Sequence, residues 1–252
     1  MKRLEKNGAR VEVWRDLAGL SERGAELLRE IAGRSIERQS GFYVALSGGS
    51  TPKALFSLLA SDLYAKQMSH LWRETQVFWT DERCVPPDDP QSNYRMAHES
   101  LLSHVDLQAS QIHRMRGEDE PERAAEAYAL DLNSSFNMSE PVFDLVLLGM
   151  GADAHTASIF PHSPLLTDTE EVPLVAAPYV EKLQAYRLTL TLRVLNRARN
   201  IIFLVSGSEK AEPLRKVFAS SEKDEELPAR WVRPVDGACY WLVDEEAAAL
   251  LD

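Results

Sequence analysis

The sequence predicts a single α/β domain over residues 1–252, built on a largely parallel sheet with helices on both faces. Three observations carry this. Short segments rich in β-branched and aromatic residues recur along the chain, each followed by a turn signal and then by helix-period sequence. These segments are near-continuously apolar, as strands buried on both faces are. The 252 residues, 44% of them hydrophobic, suffice for one large core, and no linker, repeat or low-complexity tract divides the chain.

Taken in order, the first strand is VEVW at 11–14, followed by a helix whose inward face carries Leu20, Leu27, Leu28 and Ile31. FYVALS at 42–47 runs into Gly48-Gly49-Ser50-Thr51-Pro52, where Thr51 is placed to cap a helix and Pro52 to open it. QVFWT at 76–80 leads to Asp81-Glu82-Arg83 and then to a Pro-punctuated surface loop, 84–93. Glu120-Pro121 opens a helix with Ala124, Ala125, Tyr128 and Leu132 on its inward face. FDLVLLGM at 143–150 precedes a glycine-loosened turn that reaches His155. RLTLTL at 187–192 and NIIFLVSG at 200–207 follow, the latter feeding a helix with Lys210 just inside its start. CYWLV at 239–243 is the last strand, and the acidic run 221–226 is a second surface loop. Trp72, Trp79, Trp231 and Trp241 belong to core or strands.

Composition excludes several classes of function. A net charge of −11 opposes nonspecific contact with nucleic acid or an anionic membrane surface, so an anionic ligand must meet a local cluster of cations and donors. No uninterrupted apolar run approaches the ~20 residues needed to span a bilayer, IIFLV at 201–205 being strand-sized, and the polar residues after Lys2-Arg3 break any signal-peptide pattern. Cys84 and Cys239 give no disulfide framework and no metal-ligand spacing, and no histidine has an i, i+4 partner. A cytoplasmic protein without a metal is expected.

In open parallel sheets, ligands bind beyond the carboxyl ends of the strands. Four polar loops follow strands here: Ser47 to Thr51, Asp81 to Arg83, Gly149 to His155, and Ser206 to Lys210. The first is either a capped turn or an anion cradle in which Gly48, Gly49, Ser50 and Thr51 offer backbone amides and hydroxyls at a helix N-terminus. No Gly-Lys-Ser/Thr closes it, which disfavours a nucleoside triphosphatase. In the second, Asp81 caps a turn beside a Glu82/Arg83 surface pair, or else Arg83 meets a phosphate or developing oxyanion while Asp81 orients a partner. In the third, Gly149-Met150-Gly151-Ala152-Asp153-Ala154 fits G-x-G-x-x-A formally, but Asp168, Glu170 and Glu171 lie in a Pro-punctuated loop instead of ending a second strand, which disfavours a dinucleotide. Asp153 and His155 are spaced so that the carboxylate can fix the imidazole tautomer, the arrangement of a general base. In the fourth, Lys210 is within reach of a phosphate at the same strand ends, with Arg187 as a further cation.

Together these blocks resemble the 6-phosphogluconolactonases. LSGGSTPKALF, WTDERCVPPDDPQSNYRMA, FDLVLLGMGADAHTASIFP, RLTLTLRVLNRARNIIFLVSGSEKA and LPARWVRPVDGACYWLVDEEAA stand in the family's order across about 42 to 247. The resemblance implies a Rossmann-like fold shared with glucosamine-6-phosphate deaminases and ribose-5-phosphate isomerases. It implies hydrolysis of 6-phospho-D-glucono-1,5-lactone to 6-phosphogluconate in the oxidative pentose phosphate pathway, without metal or organic cofactor. A monomer or weak homodimer is expected. Carried over, His155 is the general base and later acid, Asp153 orients it or the substrate, and Arg83 stabilises the anionic intermediate or binds phosphate. The Gly48–Thr51 loop and Lys210 hold the sugar phosphate, with Asp81 and Arg187 beside it. The family has glycine where this chain has Ala154, so a positive φ there would carry strain of order 1 kcal/mol. The deaminase type also resembles this chain, but it places a glutamate soon after the histidine, and no acid follows His155 before Asp168. A non-catalytic sugar-phosphate-binding protein is disfavoured by the intact Asp153, His155 and Arg83.

Overall fold

Both faces of the central strands are buried, and this is why they read as unbroken apolar runs. The computed structural model describes residues 1–167, 169–219 and 224–251; Asp168 and the 221–223 part of the expected acidic loop lie outside them. In chain order the elements are β1 (Lys2–Lys6), β2 (Ala9–Trp14), α1 (Leu17–Gln39), β3 (Phe42–Leu46), α2 (Ser50–Leu59), α3 (Asp62–Trp72), β4 (Thr75–Trp79) and β5 (Asp81–Arg83). There follow α4 (Asn93–Ser100), α5 (Pro121–Ser135), β6 (Leu145–Leu148), β7 (Val175–Ala176), β8 (Tyr179–Val180), β9 (Ala185–Leu190), α6 (Leu192–Leu195), β10 (Asn200–Val205), α7 (Ala211–Ala219) and β11 (Ala238–Asp244).

Seven strands form the main sheet in the order β1-β2-β11-β10-β6-β3-β4, parallel throughout except for the β1–β2 hairpin. Alternate residues feed two cores. On β10, Ile201, Phe203 and Val205 face one, and Ile202 and Leu204 the other; on β3, Val44 and Leu46 lie opposite Ala45. The inward faces expected for the first helix and for α5 are the buried ones: Leu20, Leu27, Leu28 and Ile31, and Ala124, Ala125, Tyr128 and Leu132. Glu120 caps α5 by accepting from the amides of Glu122 and Arg123, and Pro121 opens it. Trp72, Trp79 and Trp241 are buried, and Trp241 stacks on Phe203 with centroids 3.8 Å apart.

Two expectations are corrected. The segment 187–192 does not join the main sheet: β9 is the centre of a small antiparallel sheet with β5, β7 and β8, so Arg187 sits within a strand and not at its start. Arg187 is half-buried, whereas Thr189 and Thr191 are fully buried and satisfy their hydroxyls by donating to the carbonyls of Leu190 and Pro173. The N-terminal hairpin strand β1 has a polar, largely exposed pattern and went unpredicted.

The chain turns from β3 through α2 and α3 to β4 on one side, and from β6 toward β10 on the other, so the strand order reverses between β3 and β6. A crevice opens at such a switch point.

Candidate active site

All four polar loops reach that crevice. A cavity of about 250 Å³ is lined by Ser47 to Pro52, by Asp81 and Arg83, by Gly149 to Gly151 with His155, and by Ser206 and Lys210. A second cavity of about 330 Å³ adjoins it, sharing Asp81, Arg83 and His155 and adding Asp153, Lys182 and Arg187. Arg83 and His155 therefore stand on the wall between the two.

The first loop departs from the expected cap. Gly49, with φ of 106°, is the N-cap of α2, so the helix begins at Ser50 and Pro52 lies in its first turn, two places further in than its expected position, while Thr51 is already helical. Proline costs no hydrogen bond there, because the first-turn amides lack intrahelical partners in any case. The amides of Ser50 and Thr51 are thereby left at the positive end of the helix, facing the cavity.

Asp81, Glu82 and Arg83 form β5, and the Glu82/Arg83 surface pair does not exist. Glu82 is buried and accepts from the amides of Asn93, Tyr94 and Arg83 at 2.7–2.8 Å and from the Ser92 hydroxyl at 3.0 Å. Burial pushes its carboxyl above the usual range, against four hydrogen bonds that favour the charged form. Its task is to hold the N-terminus of α4. Asp81, also buried, accepts from the Ser158 hydroxyl at 2.8 Å. Antiparallel pairing with β9 sets Arg83 directly opposite Arg187, whose pKa is lowered by burial first and by Arg83 second. The guanidinium of Arg83 donates to the Gln91 carbonyl.

His155 is held on three sides. Its Nδ1–H donates to Asp153 Oδ1 at 2.5 Å, which leaves Nε2 as the acceptor, and Phe160 stacks on the ring with centroids 4.3 Å apart. The His155 carbonyl accepts from the Gly151 amide at 2.8 Å. Asp153 Oδ2 accepts from Lys182 Nζ at 3.0 Å, and Asp153 sits well below the usual carboxylate range, first through its hydrogen bond to His155. The turn demands the strain that the sequence suggested: Ala154 has φ of 61°, and the next turn places Ala157 at 48°.

Lys210 ends a short 3-10 turn, Ser208–Lys210, that precedes α7, so it stands one residue outside the regular helix. The turn is anchored by Asp244 at the end of β11, which accepts from the Ser206 hydroxyl and the Gly207 amide. Sequence reasoning missed Asp244, Lys182, Ser158 and Asn93. Each contributes through a partner distant in the chain, and only Asn93, beside the Ser92 cap of α4, carried a local signal.

Residues 15–241 match the family described as glucosamine-6-phosphate isomerases/6-phosphogluconolactonase. A 6-phosphogluconolactonase of Nostoc is 39% identical over 96% of this chain and 98% of its own length. One from Aggregatibacter actinomycetemcomitans is 39% identical over 83% of this chain and 87% of its own. The solved structure of the Trypanosoma brucei 6-phosphogluconolactonase superposes with a TM-score of 0.85 at 31% identity, covering 98% of this chain and 100% of that one.

Proposed function

The chain belongs to the glucosamine-6-phosphate isomerase/6-phosphogluconolactonase family, and from that premise we propose how it performs the reaction its relatives point to. That reaction is hydrolysis of 6-phospho-D-glucono-1,5-lactone to 6-phospho-D-gluconate in the pentose phosphate pathway. The observation that carries the mechanism is the His155–Asp153 pair in the wall of a cavity that a helix N-terminus and Lys210 also line.

The amides and hydroxyls of Gly48, Gly49, Ser50 and Thr51 and the ammonium of Lys210 hold the phosphate. That anchor lays the lactone carbonyl toward His155. Nε2 takes a proton from water as its oxygen bonds to the carbonyl carbon, and Asp153 stabilises the imidazolium that results. Arg83, on the wall beside His155, faces the oxyanion, with Arg187 behind it and Asp81 orienting the sugar. The tetrahedral intermediate collapses as the bond from the carbonyl carbon to the ring oxygen breaks. His155 returns its proton to that oxygen, which becomes a hydroxyl, and the new carboxylic acid ionises in solution. The net charge of −11 supports a small-molecule partner and no nucleic acid. No helix among the described residues is long and apolar enough to cross a membrane, and two free cysteines support a cytoplasmic setting.

The test is lactone disappearance over the spontaneous rate. His155→Ala is expected to lose a factor on the order of 10²–10⁴ in kcat. Release of ammonia from glucosamine 6-phosphate with no effect on the lactone would replace this reading by the deaminase one.

A further inference from the structure

Gly48 has an ordinary backbone: the glycines with positive φ are Gly8, Gly49 and Gly207. Backbone conformation therefore does not require glycine at 48. A neighbour does. A Cβ placed there would lie 1.8 Å from Asn93 Oδ1, 2.4 Å from its Cγ and 2.8 Å from its Nδ2, and no other residue is as near.

Asn93 has no room to withdraw. Its side chain is buried, and Nδ2 donates to the Asp81 carbonyl at 2.9 Å and reaches the Asp81 carboxylate at 3.4 Å. Its own amide is fixed at 2.7 Å on the buried Glu82, which also takes the Ser92 hydroxyl and the Tyr94 amide. The β5 strand thus grips Asn93 from two successive residues and presses its amide head against the turn that leads to Ser50 and Thr51. Aspartate at 93 would have no N–H for Asp81, and leucine would leave the Asp81 carbonyl buried without a donor.

We infer that Asn93 is a positioning residue that sets the spacing between the phosphate-holding loop and the Arg83 strand, with Gly48 as its seat. The inference rests on the proposed function in assigning phosphate to that loop. A substrate held at both ends feels the spacing, because its phosphate and its carbonyl are joined by a fixed length of carbon skeleton.

The experiment is a double-mutant cycle of Gly48→Ala and Asn93→Ala, read by urea unfolding and by kcat/KM on 6-phosphogluconolactone and on unphosphorylated gluconolactone. Gly48→Ala is expected to lower the unfolding midpoint and to cost about tenfold or more in kcat/KM in the parent, and to have little further effect in Asn93→Ala, where the obstructing atoms are gone. Asn93→Ala is expected to cut the preference for the phosphorylated lactone about tenfold. Equal effects of Gly48→Ala in both backgrounds would overturn the seat, and equal losses on both lactones would overturn the spacing role. Should Asn93→Ala fail to fold, Asn93→Ser, which also clears the space beside Gly48, replaces it in the same cycle. Urea unfolding reads the seat without reference to activity, so the seat stands or falls on that measurement even where the hydrolytic reading fails.

Discussion

Gly151→Ala tests the geometry of the His155–Asp153 pair without touching either residue. A Cβ at 151 would lie 2.1 Å from His155 Nδ1 and 2.7 Å from Asp153 Oδ1, whereas ordinary contact begins near 3.4 Å, so the ring must retreat by about 1.3 Å. The backbone at 151 is outside the left-handed region, so alanine itself adds no strain there. Retreat stretches a charge-assisted hydrogen bond of about 1.5–3 kcal/mol and a ring stack of about 0.5–1.5 kcal/mol. Both side chains are partly exposed, at 31% and 25%, so the cost to stability is discounted to about 1–2 kcal/mol. The cost to rate is larger, because a displacement of about 1 Å of a reacting group is worth on the order of 10²-fold. The expected result is therefore a folded enzyme with kcat down on the order of 10²-fold and KM nearly unchanged, since the phosphate loop lies across the cavity. Steady-state kinetics on the phosphorylated lactone, with circular dichroism to confirm folding, measures it. A kcat within about threefold of the parent would show that the ring does not need this position.

Replacing Ala154 by glycine releases left-handed strain of about 1–2 kcal/mol, against about 0.4–1 kcal/mol of unfolded-state entropy and about 0.8 kcal/mol for the buried methyl. The terms nearly cancel, so calorimetry should find Tm within about 3 °C of the parent and kcat within about twofold, while a rise of more than about 5 °C would mean the strain is larger than this. Asp153→Asn addresses pH. A carboxyl depressed by its native partners contributes stability that is fully present above the ordinary carboxylate value near 4 and is lost as pH falls below it toward the depressed value. Urea unfolding between about pH 6 and pH 3 should therefore show a steeper acid loss in the parent than in the asparagine variant, and parallel curves would contradict the assignment.

Local signals were legible. The Glu120-Pro121 start and the four inward residues of α5 follow from capping and helical period, both confined to a few neighbouring positions. So does the convergence of four loops, since strands that run parallel bring their carboxyl ends to one side. The cap at Gly49 was not legible, because hydroxyl preference points to Thr51, whereas the loop's path requires a positive φ one residue before the helix, which only glycine supplies without strain. The facing of Arg83 and Arg187, and the bond between Ser158 and Asp81, 77 residues apart, have no periodic or turn signature. They depend on which strands meet in the small sheet, and no short window of sequence states that.

An acidic chain that handles an anion is at odds with itself only until distance is considered. Of the net −11, the charges spread over the surface act through water and salt, which screen them beyond about 8 Å at physiological ionic strength. Inside the cleft the nearest groups decide, and there the α2 amides, Lys210 and Arg83 are opposed by Asp81 and Glu209. In the proposed reaction the lactone carries no charge at its carbonyl, and the charge that builds there is the transient oxyanion, which Arg83 faces with Arg187 behind it. Asp153, close by, has its oxygens already taken by His155 and Lys182. The phosphate end is unchanged by the reaction, so its anchor holds substrate and product alike. The cations beside the carbonyl act on a charge that only the transition state and intermediate carry, and that difference is what raises the rate.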